Sequence, residues 1–167
     1  MKLPILFLLI LNLLAVFGEV RKVNQKTIDY IKKREKWMPK AYDDGYGNPT
    51  IGYGHLIKPG DGLHMGSTIT KKQGEKLFQD DLVVFERCVQ AFKPKEPLND
   101  NEFGALVSWS YNIGCGAATG STLVKKLQEG KKDEVCKELR RWNKANKKVS
   151  EGLKARREEE CKLFTSK

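Results

Sequence analysis

Histidine is nearly absent from this 167-residue chain, which carries only His55 and His64, and no Cys-x-x-Cys pair occurs. Imidazole or paired-thiolate ligand sets at metal-site spacing are thereby excluded, and neither a metal nor any other cofactor is expected. No helix-turn-helix, finger or RNP-like pattern is present. The excess of 31 lysines and arginines over 21 aspartates and glutamates, a net charge of +10, is therefore not read as a nucleic-acid footprint. Internal repeats and low-complexity linkers are missing too, and the length allows one domain, or two lobes sharing a core.

What is there begins with an address. Lys2 precedes sixteen uncharged residues, Leu3 to Gly18, before Glu19 restores charge, and this pattern predicts a signal peptide over residues 1–18. A membrane span usually needs roughly 17 to 25 apolar residues, and this run is interrupted by Pro4 and Asn12. A releasable signal-anchor is the alternative. Either version exports a single domain, residues 19–167, that keeps no membrane anchor after processing. Removal of residues 1–18 takes away Lys2 and no acidic residue, so the net charge falls from +10 to +9. A basic exported protein suits an anionic cell envelope, such as a bacterial wall with acidic polymers. Four cysteines in an exported chain, Cys88, Cys115, Cys136 and Cys161, suggest two disulfides in one of three connectivities, with buried free thiols as the alternative. The sequential pairing is favoured. Cys88 falls near the end of one predicted helix and Cys115 in the loop after the next, while Cys136 and Cys161 sit on apolar faces of helices that should pack together.

The stretch EKWMPKAYDDGYGNPTIGYGH, residues 35–55, carries the chemistry. Glu35 closes TIDYIKKRE, in which Ile28, Ile31 and Glu35 share one helical face, so a carboxyl group ends an apolar stripe. Partial desolvation penalises its charged form and raises its pKa, which suits a general acid near neutral pH. Pro39 bars the helix from continuing. The turn and β-forming residues that follow, from Asp43-Asp44-Gly45 to Thr50-Ile51-Gly52-Tyr53-Gly54, predict a small sheet folding back on the helix. Asp44 lies in its first turn, where water and backbone N–H groups keep it ionised. Two carboxyls whose environments push their pKa values apart can divide the acid and base roles.

Glu35, Asp44 nine positions later, Thr50 six further on, and then Ile51-Gly52-Tyr53-Gly54-His55 resemble the phage-type (T4-like) lysozymes. ALVSWSYNIG (105–114), STLVKKLQEG (121–130) and RRWNKANKKVSEGLKARREEE (140–160) resemble later blocks of that family, so the likeness runs from about residue 24 to the end. It implies a lysozyme-like two-lobed fold of class α+β, predominantly α: a small β-hairpin sheet in the N-terminal lobe, a long connecting helix and a helical C-terminal lobe. The implied activity is hydrolysis of the β-1,4 bond between N-acetylmuramic acid and N-acetylglucosamine in bacterial peptidoglycan. By resemblance, Glu35 is the acid, Asp44 and Thr50 bind the attacking water, and Leu56, Tyr111, Asn112 and Thr122 line the saccharide cleft. Lys154, Arg156 and Arg157 compete to be the partner of Glu35. A monomer is expected, secreted and extracellular, or periplasmic if it is a phage endolysin.

Taken singly, each of these residues has a plain structural reading: Glu35 in an ion pair, Asp44 in a turn, Thr50 as a β-former. Their joint spacing points to chemistry. A lytic transglycosylase needs the acid but no held water, so Asp44 and Thr50 disfavour it. A cationic wall-binding or membrane-active protein without catalysis is the alternative from another class. Against it, the mixed charges of ARREEECK predict a solvated helical face.

Further helices are predicted from the capping box at Thr70 and Gln73 to the stop at Pro94, from Asn99 and Glu102 to Gly114, and over 122–129, 133–144 and 150–164. Gly114 to Gly120 reads as a small-residue loop, sheet is expected only near 42–57, and Asp81 on the long helix is expected to pair with His55.

Overall fold

A computed structural model describes residues 19–45 and 47–166; the expected signal peptide lies outside them. Helix α1 (Gln25–Glu35) starts at Asn24, whose side chain accepts from the Thr27 N–H at 2.9 Å. Ile31 is fully buried on the predicted face, and Ile28 packs beside it. The helix ends before Pro39, because Lys36 takes a left-handed φ of 60° and turns the chain directly after Glu35. Strands β1 (Met38–Asp43), β2 (Pro49–Gly52) and β3 (His55–Leu56) then form an antiparallel sheet in that order. Tyr42 faces Thr50, and Thr50 faces Leu56, so the predicted catalytic threonine sits on the central strand. The sheet begins at Met38 rather than near Tyr42, with an irregular register between them.

Helix α2 (Lys71–Gln90) opens with the predicted box, Thr70 and Gln73 capping each other reciprocally. It serves both halves of the molecule. Leu77 packs on a small core of Ala41, Ile51 and Ile69 under the sheet, whereas Phe78, Leu82 and Val89 belong to the main core. Helix α3 (Asp100–Ile113), capped by Asn99 and Glu102, runs through the centre of that core and is buried without interruption from Glu102 to Ser110. Against it pack α4 (Cys115–Thr119) and, later in the chain, α7 (Glu151–Thr165), while α5 (Thr122–Glu129) and α6 (Val135–Arg140) pack on each other and on these two.

Three expectations are corrected here. The small-residue loop after Gly114 contains the short helix α4, anchored by fully buried Ala118. The helix expected to reach Lys144 stops at Arg140. A second hairpin follows, β4 (Lys144–Ala145) with β5 (Lys148–Val149), turning on Asn146 and Lys147, which both take positive φ as a two-residue hairpin turn requires. Trp142, edge-on against Trp109 at 5.6 Å, holds the chain where it leaves the helix. Finally, the predicted solvated face of α7 is buried at Arg156, Arg157 and Glu160, because these charges find partners inside the protein.

The cysteines pair sequentially, as favoured: Cys88 with Cys115, joining α2 to α4, and Cys136 with Cys161, joining α6 to α7. Among the described residues, no helix is long and apolar enough to cross a membrane.

Candidate active site

Glu35 is delivered by the last turn of α1 and is half-buried. Its Oε1 accepts from Arg156 Nη1 at 2.7 Å, which resolves the competition among the three basic candidates. Lys154 instead reaches Glu151, at 3.5 Å, and Arg157 turns inward. The other carboxylate oxygen, Oε2, faces Gly54. A Cβ on Gly54 would stand 3.3 Å from that oxygen, and its φ of 84° disfavours a side chain independently, so this glycine lets the sheet approach the acid closely.

Arg156 is held from three directions. Besides Glu35 it donates through Nε to Glu160 Oε1 at 3.1 Å and through Nη2 to the Ser108 carbonyl at 3.2 Å. Burial works against its charge, but the carboxylates of Glu35 and Glu160 prevail and raise its pKa above the ordinary arginine value. Glu160 is completely buried between Arg156 and Arg157, and its Oε1 also accepts from Ser108 Oγ at 2.8 Å. Burial raises the pKa of its carboxyl group, opposed by the two guanidinium groups. Three groups of alternating sign, Arg156, Glu160 and Arg157, thus stand in line behind Glu35.

Asp44 follows β1 in the turn, as predicted. Its Oδ1 accepts from the Asn48 N–H at 3.1 Å and its Oδ2 from the Asn48 side-chain amide at 3.0 Å. The preceding residue, Asp43, closes the same turn by accepting from the N–H groups of Gly45 and Gly47. Thr50 is buried on β2 and donates its hydroxyl to the Asn48 carbonyl at 3.3 Å. Asp44 and Thr50 are therefore tied to one residue, Asn48, which the sequence reading had not singled out. Tyr42 pairs with Thr50 across the sheet. Burial raises the pKa of its hydroxyl, and the charges of Glu35 and Asp44 raise it further.

Leu56, Tyr111 and Asn112 come together. With Gly54, Asp81 and Phe85 they line a cavity of about 280 Å³, and Gly54 places that cavity beside Glu35. Tyr111 is both wall and scaffold: it packs on Phe78 and Phe85, and its hydroxyl donates to the Tyr53 carbonyl at 2.9 Å. Burial pushes that hydroxyl's pKa far above the ordinary tyrosine value. Thr122 is not in this cavity. It lies in another of about 270 Å³ with Glu138, Arg141 and Trp142. A third cavity of about 430 Å³, lined by Asn112, Ile113, Arg141, Trp142, Lys144 and Leu153, shares residues with both. Asn112 and Ile113 are common to the first and third cavities, and Arg141 and Trp142 to the third and second.

Asp81 pairs with His55 as predicted, at 2.8 Å on Nδ1, while Asp61 approaches Nε2 at 3.3 Å. The hydrogen bond to Asp81 leads in raising the imidazole pKa, assisted by Asp61 and opposed by burial. Among the described residues, no group of His, Cys, Asp and Glu is arranged to hold a metal ion.

Comparison with known proteins shows the family. The sequence model of the family described as phage lysozyme matches residues 32–160. An endolysin of Bacillus phage PZA is 38% identical over 87% of this chain and 55% of its own length. The chain spans about half the length of the Bacillus phage relatives. The endolysin of Salmonella phage P22 is 34% identical over 87% of this chain and 99% of its own. Among solved structures, the muramidase domain of SpmX from Asticaccaulis excentricus superposes with a TM-score of 0.78 at 28% identity, over 88% of this chain and 99% of that domain.

Proposed function

The chain belongs to the phage lysozyme family, and from that premise we propose that it is an exported muramidase that hydrolyses the β-1,4 bond between N-acetylmuramic acid and N-acetylglucosamine in peptidoglycan. The supporting observation is the Glu35 carboxyl group, fixed by Arg156 and opened to the Leu56–Tyr111–Asn112 cavity by the missing side chain at Gly54.

In this mechanism Glu35 gives its proton to the glycosidic oxygen as the bond from that oxygen to the anomeric carbon breaks. A water molecule held by Asp44 and Thr50 adds its oxygen to the same carbon from the opposite face and loses a proton to Asp44. Proton return to Glu35 through solvent closes the cycle, and the product anomer is inverted. Preorganisation is the protein's contribution. Asn48 ties Asp44 and Thr50 together, and the buried Arg156–Glu160 pair stops the acid from swinging. Leu56, Tyr111, Asn112 and Thr122 line the glycan's path. The net charge of +9 remaining after export concentrates the enzyme, as a monomer, on the anionic wall.

Digestion of isolated peptidoglycan followed by mass spectrometry of the soluble muropeptides tests this reading. Reducing N-acetylmuramic acid ends are expected. Anhydro ends would identify a transglycosylase, and heat-stable killing without released muropeptides would identify a cationic protein.

A further inference from the structure

Arg157 is among the largest fully buried side chains in the protein, yet it is poorly satisfied there. Nε and Nη1 make no hydrogen bond, although Nη1 stands 3.2 Å from Glu160 Oε2, and burial pushes the guanidinium pKa below its ordinary value. A methionine of similar volume would avoid the desolvation of this charge, so packing alone does not account for an arginine. Its Nη2 does make a hydrogen bond, and the acceptor is Asn112 Oδ1, in the wall of the cleft.

That partnership fixes a polarity. A guanidinium group only donates, so the Asn112 atom facing Arg157 must be the carbonyl oxygen, and the two N–H donors of Nδ2 are left for the cleft. Among the described residues no acceptor is recorded for Nδ2, and Asn112 is half-buried where two cavities meet. An amide free to flip could offer either a donor or an acceptor to a ligand. Here it can offer only a donor.

We propose that Arg157, anchored by Glu160, is a positioning residue that holds Asn112 as an obligate hydrogen-bond donor, so that the cleft selects a glycan bearing acetamido carbonyl groups over a de-N-acetylated glycan bearing ammonium groups. The inference rests on the muramidase reading. It also explains why two consecutive arginines share one buried carboxylate: Arg156 leads to the acid and Arg157 to the saccharide wall, so Glu160 sets both from a single point.

The test measures kcat and KM for the wild type, Arg157→Met, Asn112→Asp and the double variant on fully acetylated and de-N-acetylated peptidoglycan. The wild type should favour the acetylated wall by about 10-fold in KM, the size of one well-made hydrogen bond. Arg157→Met should raise KM for the acetylated wall by about 10-fold while kcat falls by less than about 3-fold, because binding is lost and the acid is spared. Asn112→Asp, which can only accept, should abolish or reverse the preference, and the double variant should be no worse than Asn112→Asp alone. A folded Arg157→Met enzyme with unchanged KM and preference would overturn the proposal. If that variant does not fold, Asn112→Asp decides alone, and retention of the wild-type preference refutes it. A wild type inactive on acetylated peptidoglycan would instead remove the muramidase reading itself, an outcome distinct from active enzymes with unaltered preference.

Discussion

The helical lobe and the sheet lobe are held by different physics. The first contains both disulfides and a core in which Leu106, Trp109, Leu123 and Leu139 are fully buried. The second rests on Ala41, Ile51 and Ile69, which together supply only a few kcal/mol at roughly 1.5 to 3 kcal/mol for a large aliphatic side chain. Among the described residues it has no covalent staple. Polar contacts close its rim instead: His55 between Asp81 and Asp61, Lys32 with Glu75, and Lys71 over the Trp37 ring at 4.5 Å. The candidate site spans this difference. Glu35 is braced across the seam by Arg156 of the stiff half, whereas Asp44 and Thr50 belong to the soft half. Rigidity is thus concentrated where Glu35 is held, and the proposed water-binding pair lies in the lobe with the smaller core.

The largest stability effect is expected at the centre of the stiff half. Glu160→Gln leaves Arg156 and Arg157 buried without their shared counter-charge, and removing one partner of such a pair costs about 3 to 5 kcal/mol. Urea unfolding would measure it; a loss below about 1 kcal/mol would mean that the charged quartet does not organise this lobe. Reducing a single disulfide comes next, at roughly 2 to 4 kcal/mol. In the oxidised protein, amides of the sheet should exchange hydrogen before those of α3 and α7, and reduction should narrow that gap. An unchanged order and spacing after reduction would break the comparison between the lobes.

The smallest effect should come from the soft half. The folded-state pKa of His55 is raised, so its contribution to stability is fully present below the unfolded value of about 6.5 and is lost as pH rises through the folded value. The difference in stability between the wild type and His55→Gln should therefore shrink from pH 5.5 upward through neutral pH, in steps of ~0.5 unit. A difference that stays constant over that range would show that the imidazole does not act through its charge.

Much of this was legible in the sequence because local rules and the function agreed. Both capping boxes, the i, i+3, i+7 face ending at Glu35, and the pairing of Asp81 with His55 follow from spacing and residue type. The sequential disulfides were legible from where the cysteines fall: Cys88 near a helix end with Cys115 shortly after the next helix, and Cys136 with Cys161 on apolar helix faces. What could not be read was the inside of α7. In ARREEECK the mixed charges look solvated, and helical periodicity cannot tell whether Arg156 and Arg157 face water or Glu160, since that depends on Glu35, Ser108 and Asn112 arriving from other elements. The hairpin at 144–149 escaped for a local reason: its turn uses Asn146 and Lys147 with positive φ, and no glycine marks it.

Glu35→Gln is the most direct test of the central claim, that one carboxyl group braced across the two lobes donates the proton. Glutamine keeps the shape and a hydrogen-bond acceptor for Arg156 but has no proton of suitable acidity to transfer. Turnover on purified peptidoglycan, measured beside the thermal transition of the same sample, should fall by about 100-fold or more with the fold intact. Full activity in a normally folded Glu35→Gln protein would contradict the account.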